Sequence, residues 1–470
     1  MRILIENADY VITLDRERRI LKNASIVIEG SRITDVGKTA NIKTRYEKRN
    51  FDKIIKADKK VVMPGFVDAH VHLSEHISRS LFPDNLSLGS WLSDWKHPYS
   101  ASLTEEDQYI SALLGCIDMI KTGTTCFIEQ GSIGPVDPLA RAVEETGIRG
   151  ILGRSVMDRI LSKHGLTPDD INKLYYSSAD EAIRDIEKDI NKWNGKVNDR
   201  IRAWVIINGK HTCTDELYVK AKELARRMGV GIHCHMASTI EEARFFEKEK
   251  GEWPITHLDR IGFLGPNVLL AHALAVKDEE VEILKRNDTK VCHCPGTALK
   301  TAKGTTVMGK FPEMIEAGVT VALGCDGTSA AGSFDMVRQM YLAAGLYKDC
   351  RMNPNLIPAE AAVEMATING AKALLWDKEI GSIEVGKKAD LILFDTNRPE
   401  WRPLNNVLIN LVYSASGDSV DTVIIDGNVV MENRVVKNVD EREVLEMAQK
   451  MSWEIAKRAK FKSTLRWPLV

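Results

Sequence analysis

The sequence predicts an α/β protein: a (β/α)8 barrel carrying a small β-sandwich made from the two ends of the chain. Three observations lead there. Strand-like and helix-like segments alternate through the middle of the chain, as parallel strands joined by helices require. Eight extended segments can be counted in that alternation. Finally, His70, His72, His211, His233, His235, His272 and His293, seven of the 11 histidines, fall at or just beyond the ends of those segments. Strand ends converge on one mouth in a barrel, so such histidines would meet. An open doubly wound sheet is the alternative, but it calls for a Gly-rich phosphate-binding turn after an early strand, and none is present.

The elements follow from their start and stop signals. The first strand runs from Val67 into the His70–His72 pair. Ser102-x-x-Glu105 and Thr104 open a helix that reaches Lys121 and stops at Gly123, before a strand from Thr124 to Glu129. A helix from Asp137 stops at Gly147, and Ile148 to Val156 is extended. Ser178-x-x-Glu181 is a capping box for a helix ending near Gly195, before the strand Ile201 to Ile207. Thr214 caps a helix ending at Gly229, and the strand Val230 to His235 follows. Thr239-x-x-Glu242 caps the next helix, Trp253 to Gly262 is a short one, and Val268 to His272 is extended. Helix Lys277 to Arg286 precedes strand Lys290 to Cys294, and helix Met308 to Ala317 precedes strand Val319 to Cys325. Ser333 to Lys348 closes the series as a long amphipathic helix with apolar residues beyond one stripe.

The chain ends read differently. Residues 1–60 and the stretch Gly381 to Val435 are short alternating strands with turns, and neither can close a core alone. The expected domains are therefore 1–60 and 378–440 as two halves of a sandwich, 61–377 as the barrel, and 441–470 as a helix and tail.

Composition narrows the function classes. Lys+Arg 64 against Asp+Glu 66 argues against a nucleic-acid partner, and the basic stretches Lys43 to Arg49 and Lys457 to Lys462 are short enough to be solvated faces. No apolar run approaches membrane-helix length, and no signal-peptide pattern opens the chain. Eight cysteines without a C-x-x-C pair suit free thiols in a reducing cytoplasm. Cys292-His293-Cys294 has the wrong spacing for a structural zinc site.

Side chains alternate along a strand, so His70 and His72 point the same way and could share one metal ion. His235, His272 and Asp326 are further candidate ligands, each ending an apolar run. Imidazole and carboxylate suit zinc or iron(II), and an incomplete protein shell leaves a position for water.

Three motifs make a resemblance specific. Pro64-Gly-Phe-Val-Asp-Ala-His-Val-His, Ala322-Leu-Gly-Cys-Asp-Gly and Gly381-Ser-Ile-Glu-Val-Gly-Lys-Lys-Ala-Asp-Leu resemble the amidohydrolase superfamily. The branch is that of chlorohydrolases and aromatic deaminases: triazine hydrolases, guanine deaminase, and adenosylhomocysteine or methylthioadenosine deaminases. Asp426-Gly-Asn-Val-Val-Met-Glu-Asn-Arg is similar to the triazine hydrolases, and the likeness spans nearly the whole chain. It implies His70, His72, His235 and Asp326 as ligands of one divalent transition metal per chain, zinc ahead of iron. It also implies His272 as a catalytic neighbour contacting substrate or water, with Asp326 moving the protons, and a homodimer.

Two departures from that branch stand out. Its deaminases carry a glutamate three residues after the histidine of strand five, which protonates a ring nitrogen; here that place is Ser238. Its His-Ala-Pro-Tyr-Thr segment reads Asn208-Gly209-Lys210-His211-Thr212, so Asn208 replaces a substrate-contacting histidine and His211 a tyrosine. Glu75, His76 and Glu129 are candidates for the missing acid or for pocket contacts, Trp91 for a wall against a flat ring, and His293 for lining. The expected reaction is hydrolytic loss of an amino, alkylamino or halide group from a small nitrogen heterocycle. Cyclic amide or imide hydrolysis with Asp326 as the only proton shuttle is the alternative, and a metal-binding barrel without turnover is a third reading.

Overall fold

The structure, a computed structural model, describes residues 1–47, 50–160 and 166–468. Lys48 and Arg49, the end of the first basic stretch, lie outside the described residues, as does the end of the tail at 469–470. The strands, in chain order, are β1 (Arg2–Ile12), β2 (Ile20–Glu29), β3 (Arg32–Lys38), β4 (Lys53–Lys56), β5 (Lys60–Pro64), β6 (Phe66–Val71), β7 (Thr124–Glu129), β8 (Arg149–Leu152) and β9 (Ile201–Ala203). They continue with β10 (Val205–Gly209), β11 (Ile232–Met236), β12 (Val268–His272), β13 (Lys290–His293), β14 (Val321–Leu323), β15 (Leu391–Asp395), β16 (Val420–Ile425), β17 (Asn428–Glu432) and β18 (Val435–Val436).

Both chain ends do pair, but as one sheet. Nine strands follow the order β18-β17-β16-β15-β5-β1-β2-β3, with β4 beside β1. The sheet curls until Ile26, Ile28 and Ile33 pack with Leu391, Leu393 and Ile424 in one buried cluster. A hydrogen-bonded path therefore encloses the core that a two-sheet sandwich would have enclosed. The pairing β5–β15 joins the halves, Val62 opposite Leu393 and Met63 opposite Ile392. Two helices interrupt the expected all-strand ends, Thr39–Tyr46 and Val407–Tyr413.

The middle strands are parallel and fall into two sheets, β6 to β9 and β10 to β14. The expected single strand Ile201 to Ile207 changes sheets at Trp204, whose N–H bonds Leu152 O (3.0 Å) while Val205 N–H bonds Gly231 O (3.1 Å). At the other edge Val71 bridges Asp326, and Asp326 N–H donates to His70 O at 2.7 Å. Helices cover the outer faces. Thr104 caps the helix Glu105–Thr122, with Asp107, not Glu105, completing the box. Ser178, Thr214 and Thr239 cap the helices that begin at Ala179, Asp215 and Ile240.

Only one residue, Gly65, separates β5 from β6. Its Cα lies so close to Thr125 that a Cβ would sit 2.0 Å from that hydroxyl, so glycine is required where the chain passes between the sheets. The helix Met336–Cys350 packs against the helices Ala359–Met365 and Val407–Tyr413, with Tyr341 left 52% exposed. Among the described residues no helix is long and apolar enough to cross a membrane.

Candidate metal centre

Each strand end delivers one part of the site. β6 places His70 inside the mouth, with His72 one residue past its end. β11 brings His233 and His235, β12 ends at His272, and Asp326 follows β14. His272 and Asp326 both hold left-handed backbone, φ 76° and φ 65°, a conformation that costs energy in a non-glycine residue and aims these side chains across the mouth.

Hydrogen bonds fix the histidine tautomers. His233 Nδ1–H donates to Leu269 O (3.0 Å), which leaves His233 Nε2 an acceptor. His70 Nδ1–H must then donate to it (2.9 Å), so the lone pair of His70 lies on Nε2. His235 Nδ1–H donates to Asn208 O (2.8 Å), and His72 Nδ1–H faces Glu75 Oε1 at 3.1 Å. Three Nε2 lone pairs therefore converge. His72 and His235 stack at 5.3 Å with their Nε2 atoms 3.3 Å apart, and His70 stands edge-on to both at 5.0 Å. Asp326 Oδ1 closes the group, 3.6 Å from His70 Nε2 and 3.4 Å from His72 Nε2, while His272 Nε2 lies 3.8 Å from Oδ2.

This donor set is built for a cation. Acceptor atoms without protons do not bond one another, and His70 Nε2 is buried with no hydrogen-bond partner among the described residues. Candidate ligand atoms of His70, His72 and His235, and likewise of His70, His272 and Asp326, lie within 4.8 Å of one another. Burial holds the His72 imidazole down to about 4 and those of His235 and His272 well below their ordinary value, keeping the rings neutral as ligation requires. Burial alone would raise the Asp326 carboxyl, yet it is held well below the carboxylate range, with the Lys303 ammonium favouring its charged form.

The other candidates separate. Glu75 is clamped: besides His72 it meets the Lys96 ammonium and accepts from Ser329 Oγ (3.2 Å), so it orients a histidine and is not a free acid. Room for it exists because residue 327 is glycine, where a Cβ would lie 2.6 Å from Glu75 Oε2. His76 turns away, packed on Phe334 with Nε2 3.3 Å from Asp118. Trp91 packs edge-on to Phe82 (5.9 Å), beside Trp95 and Tyr99, and is an aromatic cluster member more than a pocket wall. His293 stacks on Phe311 at 3.8 Å, on the helix side of β13 and away from the mouth.

Asn208 supports His235 through its carbonyl, its own side chain engaged by Thr212 Oγ1 (2.9 Å). His211 lies on Phe245 (4.7 Å) with burial pushing it down to about 4. Glu129 accepts Leu73 N–H at 2.6 Å, has its other oxygen unpartnered among the described residues, and is pushed up to about 8 by burial. Ser238 Oγ is buried without a partner among the described residues, while its N–H donates to Glu242 Oε2 (2.9 Å). Sequence reasoning placed His233 at a strand end but missed its role in orienting His70. The His-x-His spacing of residues 233 and 235, which repeats that of residues 70 and 72, was the available signal. Lys303 was missed altogether.

Comparison with known proteins agrees with this geometry. The amidohydrolase family model matches residues 61–430. The chain belongs to the amidohydrolase family. It is an enzyme of that family. It is 36% identical over 461 residues to a 5-methylthioadenosine/S-adenosylhomocysteine deaminase of Thermoanaerobacter pseudethanolicus, covering 98% of this chain and 99% of the relative. It is 37% identical over 458 residues to a 5'-deoxyadenosine deaminase of Methanosarcina acetivorans, covering 97% and 99%. Among solved structures, an adenosine deaminase from Xanthomonas campestris with bound zinc superposes with a TM-score of 0.86 at 24% identity, covering 97% of this chain and 98% of that one. The atrazine chlorohydrolase TrzN from Arthrobacter aurescens TC1, complexed with zinc, gives 0.85 at 22%, covering 96% and 100%. These structural likenesses speak for the amidohydrolase fold.

Proposed function

We propose that this amidohydrolase binds one divalent metal, zinc ahead of iron, through His70, His72, His235 and Asp326. We further propose that it removes an amino, alkylamino or halide group from a small nitrogen heterocycle by hydrolysis. The convergence of three proton-free Nε2 atoms on one carboxylate carries the reading. The two parallel sheets are read as one closed barrel, because the Val71–Asp326 and Val156–Ile207 bridges join their edges. The nature of the relatives and the zinc in two structural neighbours support both metal and substrate class.

A divalent ion held there supplies Lewis acidity that makes water a nucleophile near neutral pH. The protein groups do the rest. Asp326 takes the proton of the attacking water and returns it to the leaving group. Its neighbour His272, neutral and 3.8 Å away, holds the attacked atom's developing charge or the incoming oxygen by hydrogen bonding. Ser238 contributes only a hydroxyl where a ring-protonating acid would stand, and Glu75 is already bound to His72 and Lys96. That lack favours substrates activated enough to need no ring protonation, and it keeps cyclic amide hydrolysis as the second reading.

The test is elemental analysis of protein purified without chelators, followed by assay of ammonia, amine and chloride release over a heterocycle panel with cyclic amides beside it. About one metal per chain and release from the heterocycles are expected. No bound metal, with none regained on adding zinc or iron, would overturn the reading. Turnover confined to the cyclic amides would select the alternative.

A further inference from the structure

Two lysines stand at the mouth with no carboxylate in direct contact among the described residues. Lys303 follows the short helix Pro295–Lys300 after β13 and is 6% exposed. Its ammonium makes no hydrogen bond or ion pair among the described residues. Its position after β13 puts it on the same strand-end side as the metal centre, and its electrostatic neighbours are Asp326, Lys210, Cys294 and Glu242. Lys210 sits just past β10 on left-handed backbone, φ 56°. Its carbonyl accepts from Tyr218 (2.8 Å), but its ammonium also bonds nothing among the described residues. Its charge is felt by His235, His272, Glu242 and Lys303.

The two nearby carboxylates are already committed. Asp326 faces His70, His72 and His272. Glu242 accepts the N–H groups of Ala237 and Ser238, both at 2.9 Å. Burial drives the Lys303 ammonium down to about 8, Lys210 repels it and the charges of Asp326 and Glu242 favour it, so the uncomplexed protein holds a buried ammonium that no carboxylate bonds directly among the described residues. Position 238, where the resemblance implies a carboxylate, is a serine, and position 210, where it implies a proline, is a lysine.

From these positions we infer that Lys303 and Lys210 form an oxyanion subsite, and that the substrate is a nitrogen heterocycle bearing a carboxylate or phosphate group. Oxyanions pair with ammonium groups through short charge-assisted bonds, strongest where water is excluded. The subsite also answers the absence of an acid at 238: an anionic substituent gripped by two lysines orients the ring over Asp326 by binding energy alone. This inference rests on the mouth being the substrate site proposed above.

Matched acid and neutral probes test it: heteroaromatic carboxylates against their carboxamides, and nucleoside 5′-monophosphates against their nucleosides. Binding is measured by calorimetry on zinc-loaded and metal-free protein, for the unaltered chain, Lys303→Met and Lys303→Met/Lys210→Met. At least one anionic probe should bind roughly tenfold or more tightly than its neutral partner, and the double variant should lose that ratio. The preferring arm identifies carboxylate or phosphate. Absence of any anionic preference, including absence of binding by every probe, overturns the inference, as does a preference that survives in the folded double variant. Because the ratio is also read without metal, failure of the metal reading leaves a separate signature: no bound ion, with charge preference intact.

Discussion

Arg149 lies at the seam between the parallel strands and the nine-stranded sheet, and replacing it with methionine should cost about 3–5 kcal/mol of folding stability. Its side chain, on β8, is 1% exposed, and that of Asp390, just before β15, is 2% exposed. The guanidinium forks onto Asp390, Nε to Oδ2 at 2.7 Å and Nη2 to Oδ1 at 3.1 Å, and its Nη1 reaches Asp199 O at 3.1 Å. Asp426, 3.5 Å away, has Lys388 as a second partner, but Asp390 has no other cation bonded to it among the described residues. With methionine at 149 the Asp390 carboxylate keeps only the Asp426 N–H (2.8 Å), and a buried charge is left uncompensated. Adding Asp390→Asn removes that charge and should recover about 1–3 kcal/mol, because most of the loss is the stranded carboxylate and not the missing pair. Urea unfolding followed by far-ultraviolet circular dichroism and tryptophan fluorescence, at fixed metal concentration, reads both steps. A loss under about 1 kcal/mol, or no recovery in the double variant, would refute the reasoning.

Other expectations are as direct. His233→Ala should weaken zinc affinity about 10- to 100-fold in chelator competition, and His233→Gln, which keeps an acceptor for His70 Nδ1, should recover part of it; equal affinities would contradict the tautomer chain. Glu129 is a carboxyl raised in the folded state from 4.5 to about 8, so its contribution is fully present below pH 4.5 and is lost as pH rises through 8. Glu129→Gln should therefore flatten the fall of melting temperature between pH 5 and 9, a swing bounded at about 5 kcal/mol, and identical slopes would count against it. Asp326→Asn should abolish every hydrolytic activity. Ser238→Glu should leave metal content unchanged and introduce or raise deamination of an aminoheterocycle, which ammonia release would detect.

Much of the site was legible because it lies where β-periodicity and barrel topology agree. His70, His72, His235, His272 and Asp326 end apolar runs, and the structure brings all five together. Strand edges blurred where side chains, not backbone, define the segment: Val319 to Cys325 shortens to Val321–Leu323, and Ile148 to Val156 to Arg149–Leu152. Side-chain direction was the harder matter. His293 ends a strand like its fellows yet faces Phe311, because one residue of register sends alternate side chains to opposite faces. Position alone also made Glu75 a candidate acid, whereas its three partners, His72, Lys96 and Ser329, turn it into a support. Lys303 carried no motif, and its burial without a direct hydrogen-bond partner among the described residues is a property of packing that sequence does not display.

The single glycine between β5 and β6 sets an order of events during synthesis. β5 lies between β1 and β15, so one of its neighbours is made early and the other only with residues 391–395. Some 320 residues separate the end of β6 at Val71 from the start of β15 at Leu391, on the order of half a minute of ribosomal elongation. Throughout that interval the strand bearing His70 hangs from a sheet with an open edge. Asp326 appears some 65 residues before β15, so every proposed ligand has been translated before the seam that braces them can close. A truncation anywhere between Asp326 and Leu391 would then hold the whole ligand set while leaving β5 exposed, an edge ready to pair with another chain.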